Sequence, residues 1–377
     1  MSIFDRDKEY ALLKETRVIS YGEISQRLDV VTFGDTKEEL EDLCSPAKFQ
    51  SGDPRDYKNY TSIITNYYVA KAGLLPYIFQ YYYSKSLPNV VDEVEKSSKD
   101  KPTVNCLAFA FIGEEIILEH DLYGKIPFIV IGRNHDGPDT ITVLSKDIIQ
   151  LMAFDAEEAN PLIREYTNMT PLSRFGNPTY SKSNIHQWLN SDASSGKWYE
   201  ETHEYDLPPS SPYVGFRNPY TELPGFLNGF TDDIKSLIVP VDKPTIEYYI
   251  MFKNQPPQKH NVDVPSKVFL LSATEIGIDP NGVEGITYEY FKENRSHRRI
   301  AHPSEYCINH SDTANIGDGR ILSPDKGCRY WLRTTEDIND LFSITQTKII
   351  DKNGSLSRSD PDFGVVGLRP AMVLSTK

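Results

Sequence analysis

Apolar residues follow a helical period in the first part of the chain. Over residues 56–83, aromatic and aliphatic side chains such as Tyr60 and Ile64 recur three or four positions apart, which is the spacing of one helix face. Gly73 and Pro76 interrupt this pattern, because proline removes a backbone donor and disturbs a helix interior. The stretch therefore predicts two helices or one kinked helix.

After residue 103 the apolar residues instead fall in short runs that are separated by turn residues, which is typical of strands. Such runs predict strands at residues 115–120, 126–133, 330–333 and 368–374, among others. Residues 183–189 read as one short helix with Trp188 on its apolar side.

A polar segment without periodicity, residues 92–102, separates these two patterns and predicts a linker. The sequence therefore predicts two domains. The first, residues 1–100, is a helical module, and the second covers residues 101–377.

The chain of 377 residues carries 40 Lys and Arg against 54 Asp and Glu, a formal net charge of −14. So acidic a surface repels phosphate backbones, and we expect no nucleic-acid partner. The apolar runs are far shorter than the roughly 18 residues of a spanning helix, so no membrane insertion is expected. Residues 1–10 are charged and do not resemble a signal peptide, which predicts a chain that is made in the cytoplasm or leaves the cell by a route that needs no such signal.

Four short segments, in order, carry a family resemblance. They are residues 183–190 (SNIHQWLN), 266–272 (SKVFLLS), 330–334 (YWLRT) and 364–371 (GVVGLRPA). They are similar to the S-x-I-R-x-W-L-N, D-K-V-F-L-L-S, W-W-L-R-S and G-V-R-P-A motifs of an uncharacterised domain family of bacteria and their tailed phages. That family distantly resembles the C-type-lectin fold of formylglycine-generating enzymes and phage tropism determinants.

The resemblance implies an α+β fold, in which the helical N-terminal module precedes a C-type-lectin-like domain with long loops. Within its segments, Arg333 and Arg369 lie among strongly apolar residues. Because a lone buried charge is costly, we expect carboxylates or backbone carbonyls to hold both guanidinium groups.

Enzyme motifs are not found in the sequence: it contains no G-x-S-x-G, no P-loop, no G-x-G-x-x-G and no H-E-x-x-H. Glu157 and Glu158 are read as surface charge. We therefore expect a protein that is not an enzyme and has no cofactor and no metal ion.

A group of metal-ligating residue types near the C-terminus leaves one alternative open. His302, Cys307, His310 and Cys328 match no standard zinc spacing. The closely spaced cysteine pair of formylglycine-generating enzymes has no counterpart, since Cys307 and Cys328 are 21 residues apart. An oxidase or hydrolase that uses this region is the alternative function, and a disulfide between the two cysteines stays open.

Two loops are the candidate binding surfaces. Residues 191–228 are rich in aromatic, Ser, Asn and Pro residues, a composition that suits sugar or protein contacts, although at least half of the rings are expected to fill the domain core. Residues 310–318 form a polar loop that binds Ca²⁺ or is simply solvated. The candidate ligand- or partner-binding residues are Trp198, Tyr199, Tyr205, Tyr213, Tyr220, Asp312 and Asn315.

Together these features favour a non-enzymatic phage virion protein that is located in the tail, in the baseplate or as a capsid decoration. The resemblance implies recognition of a host-surface protein or glycan. The N-terminal module would contact other virion proteins, and the chain is expected to form a homo-oligomer in a virion assembled in the host cytoplasm. A purely structural particle protein is the other alternative.

Overall fold

The computed structural model describes residues 18–21, 24–27, 107, 110, 112–158, 175–215, 218–249, 258–279, 282–292, 296–312, 322–336 and 346–376. The chain divides into two compact units, Met1–Ala110 with Thr376–Lys377, and Phe111–Ser375. In the first unit the described strands are β1 (Val18–Tyr21) and β2 (Ile24–Arg27), which pair as an antiparallel hairpin. The helices predicted within residues 56–83 lie outside the described residues.

The second unit is built mainly of strands. In chain order they are β3 (Glu115–His120), β4 (Gly124–Arg133), β5 (Thr140–Ser145), β6 (Gln150–Met152), β7 (Ile238–Val239), β8 (Val241–Tyr249), β9 (Gln258–Ser266), β10 (Val268–Phe269), β11 (Tyr330–Thr335), β12 (Thr347–Ile350), β13 (Leu356–Ser359), β14 (Val366–Leu368) and β15 (Ala371–Ser375). The α-helices described are α1 (Asn184–Leu189), α2 (Asp232–Leu237) and α3 (Glu305–His310), with 3-10 turns at Tyr180–Lys182, Phe226–Gly229, Glu289–Phe291 and Ser296–Arg299. None of the described helices is long and apolar enough to cross a membrane.

The first sheet of this unit has the strand order β10-β15-β5-β4-β3, and β7 also pairs with β15. Its pairs are all antiparallel. Every residue of β5 is buried, as are the first four of β15, because both faces of these central strands are covered. At the β3 edge of the sheet, more exposed and more buried residues alternate along the strand, and Ile117 is exposed.

The second sheet has the order β13-β12-β11-β14-β6, with β11 and β14 parallel and its other pairs antiparallel. Trp331 on β11 is fully buried, and its indole nitrogen donates to the carbonyl oxygen of Met152 at 2.8 Å. Its ring lies 5.5 Å from that of Phe154. This contact places the third family segment, on β11, in the hydrophobic core.

Helix α1 begins where the sequence predicts it, because the hydroxyl of Ser183 accepts a hydrogen bond from the His186 backbone N–H. Ile185, Trp188 and Leu189 are buried at three- and four-residue spacing. The remaining strands, β8 and β9, have nine residues each. They pair with each other as an antiparallel ribbon that is separate from both sheets.

The predicted fold class is wrong. Over residues 106–377 the chain is 34% strand and 15% helix, and its sheets curl into half-barrels, so it is a mostly β structure rather than an α+β, C-type-lectin-like domain. The physical reason lies in the length of the apolar runs. After residue 103 these runs are too short for long helices, and each described α-helix has only six residues.

Candidate functional site

Two of the predicted binding residues anchor residues 191–228, here called the aromatic loop, in the core. Trp198 is 3% exposed, and its ring stacks on that of Tyr220 with 5.5 Å between centroids and an angle of 2° between planes. The Trp198 indole nitrogen donates to the Tyr220 carbonyl oxygen at 3.3 Å. Tyr220 is fully buried and donates through its hydroxyl to Ala153 at 3.2 Å. These two rings therefore stabilise the loop and have little surface for a ligand.

The other predicted tyrosines of the loop retain exposed surface. Tyr199 and Tyr213 are half-buried, whereas Tyr205 is 40% exposed. Tyr205 also has a backbone φ of 75°, in the left-handed region that side-chain-bearing residues rarely adopt. Their role in binding stays a prediction.

The two predicted loops contact each other. The amide of Asn218 donates to the Asp312 carbonyl oxygen at 3.2 Å, and its side-chain oxygen accepts from the Asp312 backbone N–H at 2.7 Å. The same amide reaches the carbonyl oxygen of Gly364 at 2.7 Å. Asp312 is half-buried at this junction, and Asn315 lies outside the described residues.

A buried cluster of Glu158, His203 and Asp206, here called the carboxylate–imidazole cluster, lies beneath the exposed turn that carries Tyr205. The His203 Nε2 atom is 2.9 Å from Oε1 and 3.1 Å from Oε2 of Glu158. Its Nδ1 atom is 3.7 Å from Oδ2 of Asp206. Only 1% of each carboxylate side chain is exposed, against 15% of the imidazole. The expectation that Glu158 is surface charge is therefore wrong, because it pairs with a histidine 45 residues later.

Asn184, the first residue of helix α1, holds this cluster in place through hydrogen bonds. The Asn184 side chain donates to Oδ1 of Asp206 at 3.1 Å and accepts from the Ala156 backbone N–H at 2.9 Å. The fully buried Asp155 accepts from the backbone N–H groups of Asn177 at 2.7 Å and Asn184 at 2.9 Å. A third carboxylate thus lies next to the cluster.

Burial and mutual repulsion change the ionisation of these groups. Burial, followed by the charge of Glu158, raises the pKa of Asp155 well above its usual value. Burial also raises the pKa of Glu158, although hydrogen bonding to His203 opposes the shift. For His203, burial lowers the pKa, but the hydrogen bond and charge of Glu158 outweigh it and leave the pKa raised.

A second buried polar network surrounds Arg333. Its Nη1 atom donates to the Leu270 carbonyl oxygen at 2.8 Å and to Oε2 of Glu275 at 2.5 Å, and its Nη2 atom donates to the Glu284 carbonyl oxygen at 3.0 Å. Arg369 likewise donates to the Ser145 carbonyl oxygen at 2.9 Å. The prediction that carboxylates or carbonyls hold both guanidinium groups is confirmed.

Lys243 extends this network to the β8 strand. Its ammonium group contacts Oδ1 of Asp136 at 2.6 Å, Oε1 of Glu275 at 3.2 Å and the hydroxyl of Tyr288 at 2.7 Å. Burial raises the pKa of Asp136, but the charge and hydrogen bond of Lys243 outweigh it, so the pKa ends below its usual value. The charged and hydroxyl groups are hydrogen-bonded to one another. The network joins strand β8 to the first sheet, because Asp136 lies in the turn between β4 and β5.

The cysteine and histidine region near the C-terminus does not gather into a metal-ligating group in the part of the chain that the structure describes. Cys307 and Cys328 are buried free thiols rather than a disulfide. His310 bonds through Nδ1 to the Tyr306 carbonyl oxygen at 3.0 Å. Among the described residues, the group whose ligand atoms lie close enough together is the carboxylate–imidazole cluster. Sequence reasoning missed this group, and its signal was the H-x-x-D spacing of His203 and Asp206 inside the aromatic loop.

Comparison with known proteins identifies one family. No curated protein and no solved structure matches the chain. A family model described as "Domain of unknown function (DUF6273)" matches residues 140–376, which include both loops, the carboxylate–imidazole cluster and most of the two sheets. The chain therefore belongs to the DUF6273 family.

Proposed function

We propose that the chain is a non-enzymatic recognition protein of a phage virion, and that its aromatic loop contacts a host-surface protein or glycan. The observation that carries this proposal is the combination of a firmly anchored loop with a partly exposed tyrosine. The stacked pair of Trp198 and Tyr220 fixes the loop in the core, whereas Tyr205 on the same loop is 40% exposed.

Anchoring supports recognition because a loop that is already ordered loses less conformational entropy when a partner binds. The Asn218 hydrogen bonds to Asp312 and Gly364 hold the far part of the aromatic loop in the same way. Tyrosine suits such a surface, since it offers a large ring and a hydroxyl with few rotatable bonds.

The backbone of Tyr205 supports the same reading. A non-glycine residue in the left-handed region costs on the order of 1–2 kcal/mol, and strain of this kind is often retained at binding sites. The turn is held by a hydrogen bond from the Asp206 N–H to the His203 carbonyl oxygen at 3.1 Å, and by the cluster beneath it. The protein thus maintains an unfavourable backbone conformation at a tyrosine that is 40% exposed.

The virion location rests on the family resemblance of the sequence. In this proposal the N-terminal residues attach the chain to other proteins of the tail, baseplate or capsid, and the second unit is displayed as a homo-oligomer.

The test is binding of the purified, fluorescently labelled chain to intact bacterial cells and to an array of cell-wall glycans. Alanine at Tyr199, Tyr205 and Tyr213 together should abolish binding. The matched control is Leu356→Ala, which removes an exposed apolar side chain on β13 and should leave binding intact. A wild-type chain that binds no cell or glycan, or a triple variant that binds as well as wild type, would contradict the proposal and favour a purely structural particle protein.

A further inference from the structure

The ligand atoms of the carboxylate–imidazole cluster lie close enough together to converge on one metal ion. One atom each of Glu158, His203 and Asp206 can be chosen so that all three lie within 4.8 Å of one another. The two contacts of His203 Nε2 with Glu158 are 2.9 and 3.1 Å. Bonds of about 2.0–2.2 Å to a common ion place neighbouring ligand atoms roughly 3.0–3.4 Å apart. The contact of His203 with Glu158 already has this separation, and the three chosen atoms, which lie within 4.8 Å of one another, would draw together around an ion.

Charge balance around the cluster points to a cation as well. Asp155, Glu158 and Asp206 are three buried carboxyl groups, and His203 lies within ion-pair distance of two of them, Glu158 and Asp206. Three acidic groups buried close together are costly to ionise, and a divalent ion would stabilise their ionised, ligating form.

The residues around the ligands hold them in place. Oδ2 of Asp206 accepts from the backbone N–H of Thr202 at 2.8 Å and from its hydroxyl at 2.9 Å. The same hydroxyl lies 3.0 Å from Nδ1 of His203. Because this contact is made by Nδ1, the other ring nitrogen, Nε2, is the one that faces Glu158. Outer hydrogen bonds of this kind orient histidine and carboxylate ligands in metal sites.

We propose that Glu158, His203 and Asp206 bind one divalent transition-metal ion, Zn²⁺ or Mn²⁺, beneath the turn that carries Tyr205. An imidazole nitrogen combined with carboxylate oxygens suits these ions, whereas Ca²⁺ and Mg²⁺ prefer a shell of oxygen atoms alone. The ion would tie residues 202–206 to Glu158, which lies six residues after β6. This site does not depend on host recognition, since binding of an ion is measured without any partner.

The experiment is metal titration of the full chain after EDTA treatment and dialysis, with Zn²⁺, Mn²⁺ and Ca²⁺ as separate probes. Calorimetry and elemental analysis should give one equivalent of Zn²⁺ or Mn²⁺ per chain, and His203→Gln should weaken binding by at least about tenfold. The matched control is His260→Gln, which removes a histidine that faces a single carboxylate, Glu247, at 3.9 Å on the β8–β9 hairpin. The control should bind the ion as wild type does.

A second variant tests the site even if His203→Gln does not fold. Thr202→Val keeps all three ligands and removes the hydroxyl that orients them, so it should weaken binding by about 10- to 100-fold while the circular dichroism spectrum is unchanged. Absence of Zn²⁺ and Mn²⁺ binding in wild type, or equal binding by wild type, His203→Gln and Thr202→Val, would overturn the proposal. In that case the cluster is an ion pair and no more.

Discussion

Asp362 allows a specific prediction about the pH dependence of stability, because it is buried and one oxygen of its carboxyl group lacks a hydrogen-bond partner. It is 8% exposed, and its Oδ1 atom has no hydrogen-bond partner in the described structure. Gly215 of the aromatic loop lies against it, since a Cβ atom at Gly215 would be 2.7 Å from Oδ2. Burial, followed by the charge of Asp360, raises the pKa of Asp362 from 3.8 to about 7.

The pKa shift gives the direction and size of the effect. The folded protein holds this proton up to about pH 7, whereas the unfolded chain releases it near pH 3.8, so the stabilising contribution of the proton is full below pH 3.8. It is then lost as the pH rises to 7. A shift of about 3 pKa units corresponds to roughly 4 kcal/mol, of which about 3 kcal/mol lies between pH 5 and pH 8. Asp362→Asn removes this ionisation.

The assay is urea denaturation of wild type and Asp362→Asn at pH 5 and pH 8. The free energy of unfolding of the variant, relative to wild type, should increase by about 3 kcal/mol from pH 5 to pH 8. Asp351→Asn is the control: burial raises the pKa of Asp351, but the Arg329 hydrogen bond outweighs it and lowers the pKa, so its difference from wild type should be the same at both pH values. Equal pH dependence of Asp362→Asn and wild type would refute the reasoning.

Three further predictions concern the loop and the core. Trp198→Ala should lower the free energy of unfolding by about 3–5 kcal/mol in urea denaturation, because it empties a buried aromatic site, and a loss below about 1 kcal/mol would contradict the packing. Tyr205→Gly should raise the free energy of unfolding by about 1 kcal/mol by relieving left-handed strain, and a decrease would show that the ring stabilises the fold. Arg333→Met should lower the free energy of unfolding by about 3–5 kcal/mol in the same assay, since Glu275 loses a buried charge partner. The additional change Glu275→Gln should recover only part of this loss, because the Leu270 and Glu284 carbonyl oxygens still lack their donor.

Local signals in the sequence predict much of the β structure. The predicted strand at residues 115–120 is β3, residues 126–133 lie within β4, and the helix predicted at residues 183–189 is α1. The predicted strand at residues 368–374 is instead divided at Pro370 between β14 and β15, which belong to different sheets. Proline cannot donate to a strand neighbour, so the chain changes sheets there.

The architecture and the carboxylate–imidazole cluster could not be predicted in the same way, because both depend on contacts between distant residues. Strand order is set by pairs such as β6 with β14, which no local period reveals. Glu158 looks like a surface acid until His203 is placed beside it. Trp198 follows a glycine and a lysine, a setting that suggests exposure, yet Tyr220 covers its ring.

Binding of wild type and Tyr205→Gly to the same cells or glycan tests the central claim most directly. Both proteins are labelled identically, and the apparent Kd is measured on whichever surface wild type binds. If the aromatic loop is the recognition surface, loss of an anchor ring worth about 2 kcal/mol should weaken binding roughly 30-fold, although the variant is as stable as wild type or more so. An unchanged Kd for Tyr205→Gly would contradict recognition through the exposed tyrosine of this loop.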